Sequence, residues 1–288
     1  MDLNAFAESV GATDPVTIAG TGSRGGAVPG IRRVDAPSGI EWLRADEMTV
    51  GCGAGTLVAE LDQALVEHGQ CVAIPPTGTI GGALAVGRSG MRRLGYGPVR
   101  DTLLQARYVS AAGDIVKAGG PTVKNVSGFD LCRLLVGSYG TLGFVGDVIL
   151  RTRPRSRFEQ WFATNADPFE TFARLYRPTS VLWDGTTTWV LLEGDPRDVD
   201  RAAAALHLNP VVGPPELPTG GRWSVPPSAV ASLTGTFVAE VGVGVVHHAE
   251  PAPTREVGPA VRDLNGRIKH NFDPTGRLNP GVDVLDAR

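Results

Sequence analysis

The chain has 288 residues, 42% hydrophobic and 20% charged, with a formal net charge of −3 and a pI near 6.0. That balance gives no support to a nucleic-acid partner or an anionic membrane surface, and the apolar fraction is ample for a buried core. At roughly 150 residues per domain, the length suggests two domains. Cys52, Cys71 and Cys132 are an odd number with no CxxC spacing, so neither a disulfide framework nor a zinc or iron–sulfur site is expected. A reduced, cytoplasmic compartment fits this usage. The opening MDLNAFAESVGATDPV lacks the basic and apolar regions of a signal peptide, and no apolar run reaches the ~18 residues of a membrane span.

Leu3, Phe6, Ala7 and Val10 recur at helical spacing, with Gly11 as a stop. Val16 to Ala19 reads as a short strand entering the turn-rich GTGSRGGAVPG, and Ile40 to Val50 alternates as strands ending at GCGAG. Thr56 to His68 reads as a helix, with Thr56 as cap, Leu57, Leu61 and Leu65 as its stripe, and Gly69 as its end. Leu103 to Ser110 and Asp114 to Ala118 suggest a hairpin, Asp130 to Val136 a short helix and Phe144 to Thr152 a strand. The character changes near Pro154, where aromatics and prolines increase and a helix is expected over Asp198 to Leu206. Residues 210–221, PVVGPPELPTGG, form a loop. The expected division is 1–154, 155–255, and a 256–288 return segment that packs on the first domain.

Three glycine-rich stretches stand in the first half. Gly20-Thr21-Gly22-Ser23-Arg24-Gly25 is formally GxGxxG, but the following Gly26-Ala27-Val28-Pro29-Gly30 is no helix, which disfavours a Rossmann fingerprint. A strand-connecting turn and an anion-binding nest of backbone N–H groups both remain open. In PPTGTIGGALAVGRSG, residues 75–90, Thr79 can cap a short helix starting at Ile80, with Gly81 and Gly82 in its first turn. Bare amides there suit a phosphate, and tight helix-to-sheet packing would need the same glycines. In KNVSGFDLCRLLVGSYGTLG, residues 124–143, Gly137, Gly140 and Gly143 recur every three residues. A large ligand held by backbone would use all three stretches.

The order GTGSRGG, TVGCGAGTLVAELDQALVEHGQCVAIPP, GTIGGALAVGRSG, RRLGYGPVRD and KNVSGFDL…GSYGTLG resembles the FAD-binding domain of the vanillyl-alcohol oxidase / p-cresol methylhydroxylase superfamily. Within it, the sequence is similar to the small FAD-binding subunits of bacterial glycolate oxidases, and GRWSVPPSA and KHNFDPTGRLNPG extend the match. The resemblance implies an α+β fold of two subdomains clasping FAD, with a small α+β cap domain. It implies a pyrophosphate loop at Gly20, Thr21, Gly22, Ser23, Arg24 and Gly25. Pro76, Thr77, Gly78, Thr79, Gly81 and Gly82 would line the pyrophosphate and ribityl chain, and Ser89 and Gly90 would lie towards the flavin. Asn125, Ser127 and Gly128 would sit near the flavin; Gly140, Gly143 and Val145 near the nucleotide half; Lys269 and Asn279 near the isoalloxazine.

The implied chemistry is oxidation of a 2-hydroxy acid of the glycolate/D-lactate type, a hydride passing from the alcohol carbon to flavin N5. Such a substrate needs a cation for its carboxylate and a base for its hydroxyl proton. The resemblance also implies a second flavoprotein subunit and an iron–sulfur subunit, and through them a peripheral membrane association. The histidine-rich metal site and HxGDGN-like motif of larger relatives are missing, so no metal is expected, and an FAD-binding relay or assembly subunit without its own turnover is the alternative. His68 and His207 read as exposed. His247, His248 and His270 are the candidate catalytic residues, with Arg24, Arg88 and Arg92 as candidate anion partners. No histidine or cysteine stands at a flavin-attachment motif, so FAD is expected to be held non-covalently.

Overall fold

The computed structural model describes residues 2–121, 130–254 and 256–286. It contains two compact units, one of residues 1–89, 98–155 and 257–288, the other of residues 90–97 and 156–256.

The first unit begins with the Leu3–Val10 helix, capped by Asp2, whose carboxylate accepts the Ala5 amide at 3.0 Å. Its buried Leu3, Phe6 and Val10 pack with Val16, Val34, Val109, Phe144 and Leu278. The Val16–Ala19 strand pairs in parallel with Arg32–Asp35. An antiparallel sheet runs in the order Ile40–Arg44, Thr49–Gly53, Phe144–Arg151, Leu103–Val109, Ile115–Gly119. Its register puts Val50, Cys52, Ala106, Val148 and Leu150 on one face, where they meet Val58, Leu61 and Leu65 of the Val58–Val66 helix and Ile80, Ala83 and Leu84 of the Ile80–Val86 helix.

Two details differ from the sequence reading. The Val58–Val66 helix has no side-chain cap, because the Thr56 hydroxyl is spent on Gly39, accepting its amide at 2.9 Å and donating to its carbonyl at 3.2 Å. Leu57 lies before the first turn and is 45% exposed, so the buried stripe starts at Val58.

The C-terminal return consists of the Pro259–Phe272 helix followed by a segment that docks beside the first strand. The Val16 amide donates to the Arg277 carbonyl and the Asn279 amide to the Val16 carbonyl, both at 2.9 Å. Leu278 is fully buried between them. The Arg277 side chain, 2% exposed, donates to the carbonyls of Asp14, Ala111 and Val10. Burial pulls its pKa down, and the three carbonyls hold the charge.

The second unit is a seven-stranded antiparallel sheet, in the order Asn209–Val211, Glu159–Thr164, Thr188–Glu193, Ser180–Trp183, Phe237–Glu240, Val245–His248, Gly221–Ser224. One face carries Phe162, Val190 and Val181 in register, packed against Val199 and Ala203 of the Pro196–Ala205 helix and Phe169 and Phe172 of the Pro168–Arg174 helix. Asp195 and Asp167 cap these helices, each followed by a proline at the first turn. Residues 90–97 join this unit through Arg92, whose guanidinium is bidentate on Glu159 at 2.8 and 3.0 Å and also bonds Glu193. The Glu159 hydrogen bond leads in raising the Arg92 pKa. Arg92 is therefore committed to two carboxylates, not offered to an anion.

Replacing Arg277 by Met takes the donor from the Asp14 and Ala111 carbonyls and leaves the Val10 carbonyl with Arg32 alone. Each orphan costs about 1–3 kcal/mol, partly relieved by relaxation. Arg277→Met is expected to lower unfolding free energy by about 2–4 kcal/mol in urea titration. A change below about 1 kcal/mol would show that Arg277 is not a clamp.

Candidate functional site

The first unit holds a cavity walled mostly by backbone. Its wall brings together Gly20, Thr21, Gly22, Ser23, Arg24 and Gly25 with Thr79, Gly81, Gly82, Gly140, Gly143, Val145 and Asn279. Ala54, Gly55, Ala85, Val86, Ser138, Tyr139 and Phe144 also line it and were not singled out from sequence. The GCGAG run that ends the Thr49–Gly53 strand was the available signal for Ala54 and Gly55.

The loop after Val16–Ala19 supplies the most polar wall. No helix follows it, so a Rossmann turn is excluded here. Among the described residues, the amides from Thr21 to Gly26 make no hydrogen bond to another part of the chain. Gly25 has φ +105, and a Cβ built there meets nothing within 4 Å. Only glycine adopts that backbone without strain. Arg24 donates through Nη2 to the Pro75 carbonyl at 3.1 Å and the Thr77 hydroxyl at 3.3 Å, while its buried Nη1 has no partner. Burial holds its pKa below the ordinary arginine value. The loop closes on itself through a Ser23–Gly25 bridge, and its amides, with no acceptor outside the loop, stand beside a cation with one unpaired nitrogen, a nest that fits a pyrophosphate.

The Ile80–Val86 helix plays a different part from the one its glycines suggest. Thr79 caps it, accepting the Gly82 amide at 3.1 Å. The Ile80 amide donates to Thr56 and the Gly81 amide to Ala54, at 2.9 and 2.7 Å. Its first-turn donors are thus spent within the protein. A Cβ on Gly81 would lie 3.0 Å from both Cβ and O of Ala54, whereas one on Gly82 meets only Thr79 Oγ1 at 3.1 Å. Gly81 is a close-packing residue that also faces the cavity. The helix supports the wall and does not offer amides to a ligand.

The remaining expected residues divide. Thr77 holds Arg24, and Gly78 sits against Ser23 and Arg24, while Pro76 is exposed and does not line the cavity. Ser89 accepts the Val99 amide at 3.1 Å and Gly90 belongs to the second unit; neither lines the cavity. Asn125, Ser127 and Gly128 lie outside the described residues. Asn279 accepts from the Thr17 hydroxyl at 2.8 Å and the Ile18 amide at 3.2 Å, and donates to the Tyr139 carbonyl at 2.7 Å. Lys269 spends Nζ on the Thr141 carbonyl, Asp273 and the Leu278 carbonyl, at 2.8, 2.6 and 3.2 Å. It does not line the cavity and serves as a structural clamp. Burial pushes the Asp273 carboxyl up, but bonds from Lys269 and the Leu278 and Arg277 amides outweigh this and leave it below the usual value.

Among the histidines, His270 is exposed on the Pro259–Phe272 helix. His248 is core: its Nε2 donates to the Thr234 carbonyl, its Nδ1 accepts the Glu250 amide, and its ring stacks on Trp223 at 3.9 Å. His247, on the opposite sheet face, bonds Glu240 through Nε2 at 3.1 Å. Among the described residues, no cluster could hold a metal ion, and no helix is long and apolar enough to cross a membrane.

Residues 11–119 match the FAD binding domain family, and residues 218–282 match the C-terminal domain of FAD linked oxidases. Glycolate oxidase subunit GlcE of Escherichia coli is 30% identical over 285 residues, covering 82% of this chain and 81% of that one. D-lactate dehydrogenase of Archaeoglobus fulgidus is 39% identical over 147 residues, covering 48% of this chain but only 32% of that protein's length. Alkyldihydroxyacetonephosphate synthase superposes with a TM-score of 0.66 over 96% of this chain and 73% of its own, at 15% identity, which speaks for the fold alone. The chain belongs to the FAD-linked oxidoreductases with a p-cresol methylhydroxylase-type FAD-binding fold, and its cofactor is FAD.

Arg24→Gln removes the charge from the nest. With a charge-assisted bond worth about 1.5–3 kcal/mol, FAD affinity is expected to fall about 10- to 150-fold. Flavin absorbance of the purified variant, with unchanged circular dichroism, checks this. Wild-type flavin affinity would rule out Arg24 as the anion partner.

Proposed function

We propose that the protein is a flavoprotein subunit of a glycolate- or D-lactate-type 2-hydroxy-acid dehydrogenase, assembled with a second flavoprotein subunit and an iron–sulfur subunit. The observation that carries this reading is the likeness to a glycolate oxidase subunit along 82% of the chain. The shorter match to a D-lactate dehydrogenase supports the same substrate class.

In this reading, the amides of Thr21 to Gly26 and the Arg24 guanidinium hold the FAD pyrophosphate. Ala85, Val86, Leu135 and Phe144 give the cofactor an apolar wall that excludes water. When bound, FAD supplies a two-electron acceptor for the hydrogen on the substrate's alcohol carbon. No histidine or cysteine lines the cavity among the described residues, which favours non-covalent binding. No Asp, Glu, His or Lys lines it either. That observation also favours a second reading, an electron-relay or assembly subunit without its own turnover.

Anaerobic addition of glycolate or D-lactate to the purified yellow protein separates the readings. Bleaching of the flavin in the isolated chain supports turnover. Bleaching only beside its partner subunits supports the relay. A protein that carries flavin but bleaches in neither setting would overturn the dehydrogenase assignment. Flavin that stays attached after acid denaturation would contradict non-covalent binding.

A further inference from the structure

One residue of the cavity wall has a backbone that its side chain does not favour. The turn between the Leu131–Leu135 helix and the Phe144–Arg151 strand is left-handed at Gly137, Tyr139 and Gly140, with φ +86, +52 and +70. Glycine takes these values at no steric cost. At Gly140 it is also required, since a Cβ there would lie 2.7 Å from Asn279 Nδ2. Tyrosine at φ +52 is strained, because its Cβ crowds its own backbone. Such a residue persists where its surroundings hold it, and it marks a place where the side chain has a task.

Two other elements hold the turn. The Tyr139 amide donates to the Ala85 carbonyl of the Ile80–Val86 helix at 2.8 Å. Its carbonyl accepts from Asn279 Nδ2 of the C-terminal return at 2.7 Å. The wall around it is mainly glycine, alanine and aliphatic side chains, and its aromatic residues among the described ones are Tyr139 and Phe144. Phe144 is core, 1% exposed, whereas Tyr139 is half-buried. Tyr139 is therefore the aromatic residue that a flat ligand in the cavity can meet.

Its place in the wall says which flat group. Asn279 Oδ1 accepts the Ile18 amide at 3.2 Å while Nδ2 holds the Tyr139 carbonyl, so Tyr139 stands beside the entry to the 20–26 loop. With the pyrophosphate on that loop, the adenine lies a single ribose away, and the isoalloxazine lies beyond the longer ribityl chain. We infer that Tyr139 is the platform on which the adenine ring of FAD stacks, its left-handed backbone being what presents the ring to the cavity. Stacked aromatic rings attract through dispersion and their quadrupoles, and the contact tolerates a loss of the phenol hydroxyl. The inference rests on FAD as the cofactor and is independent of the dehydrogenase reading.

The test uses the flavin-loaded protein and reads affinity, not turnover. FAD release on dilution, followed by the recovery of flavin fluorescence, gives the dissociation constant. Tyr139→Asn removes the ring and supplies a residue at ease in the left-handed turn. It is expected to weaken FAD about 5- to 150-fold, the scale of one stacked base, with circular dichroism unchanged. Tyr139→Phe keeps the ring and should stay within about threefold of wild type. ADP, which carries the adenine without the flavin, should displace FAD, and Tyr139→Asn should weaken ADP by the same factor as FAD. A further readout serves the unaltered protein: a nuclear Overhauser contact between the adenine protons of FAD and a labelled tyrosine ring, lost in Tyr139→Phe. Wild-type FAD affinity in Tyr139→Asn overturns the inference. Equal losses in the Asn and Phe variants also overturn it, since they assign the hydroxyl and not the ring. ADP that fails to displace FAD, or that binds Tyr139→Asn as it binds wild type, overturns the adenine placement. If Tyr139→Asn does not fold, the Overhauser contact decides, its presence upholding the inference and its absence rejecting it.

Discussion

The flavin-binding unit depends on the insertion of Arg277, Leu278 and Asn279 beside Val16. Leu278 fills the small core under the Leu3–Val10 helix, and Arg277 ties three carbonyls from the first and middle parts of the chain. Asn279 then joins the Thr17 hydroxyl, 262 residues away in sequence, to the Tyr139 carbonyl, 140 residues away. Asn279 and Tyr139 both have left-handed backbones, φ +45 and +52, and both stand in the cavity wall. Asparagine tolerates that conformation, whereas tyrosine is strained in it. The hydrogen bond between them fixes the strained turn, so the C-terminal segment sets the shape of the site. Lys269 and Asp273 brace the same segment from the helix before it.

The cavity's character follows from what lines it. The cavity wall is backbone, small side chains and one arginine, suited to a long anionic cofactor and poor in groups that move protons. A cofactor that supplies the electron sink leaves the protein to position substrate and accept a proton.

The elements of the first unit were legible because their signals are local. Gly11, Asp130 and Thr79 end or cap their helices as their chemistry requires, and the 103–119 hairpin follows from its alternation and Gly113. The second unit's sheet was not, since its strands run only three to six residues and carry Trp and Glu beside aliphatics. Residues 90–97 join it through ion pairs 67 and 101 residues away, which no composition shift announces. The glycine motifs pointed to the cavity, but which amides remain free depends on distant acceptors. Ala54 and Thr56 silence the Ile80–Val86 helix, and no acceptor elsewhere in the described chain silences the 20–26 loop. Lys269 looked available until three partners in the fold used its protons.

The central claim is that the 20–26 loop, and not the Ile80–Val86 helix, receives the anionic centre of the cofactor. A crystal structure of the flavin-loaded protein tests it most directly. The account predicts pyrophosphate oxygens within hydrogen-bonding distance of the Thr21–Gly26 amides and of the Arg24 guanidinium, with the Ile80 and Gly81 amides still on Thr56 and Ala54. A pyrophosphate seated on the first turn of the Ile80–Val86 helix, with the loop turned away, would contradict it.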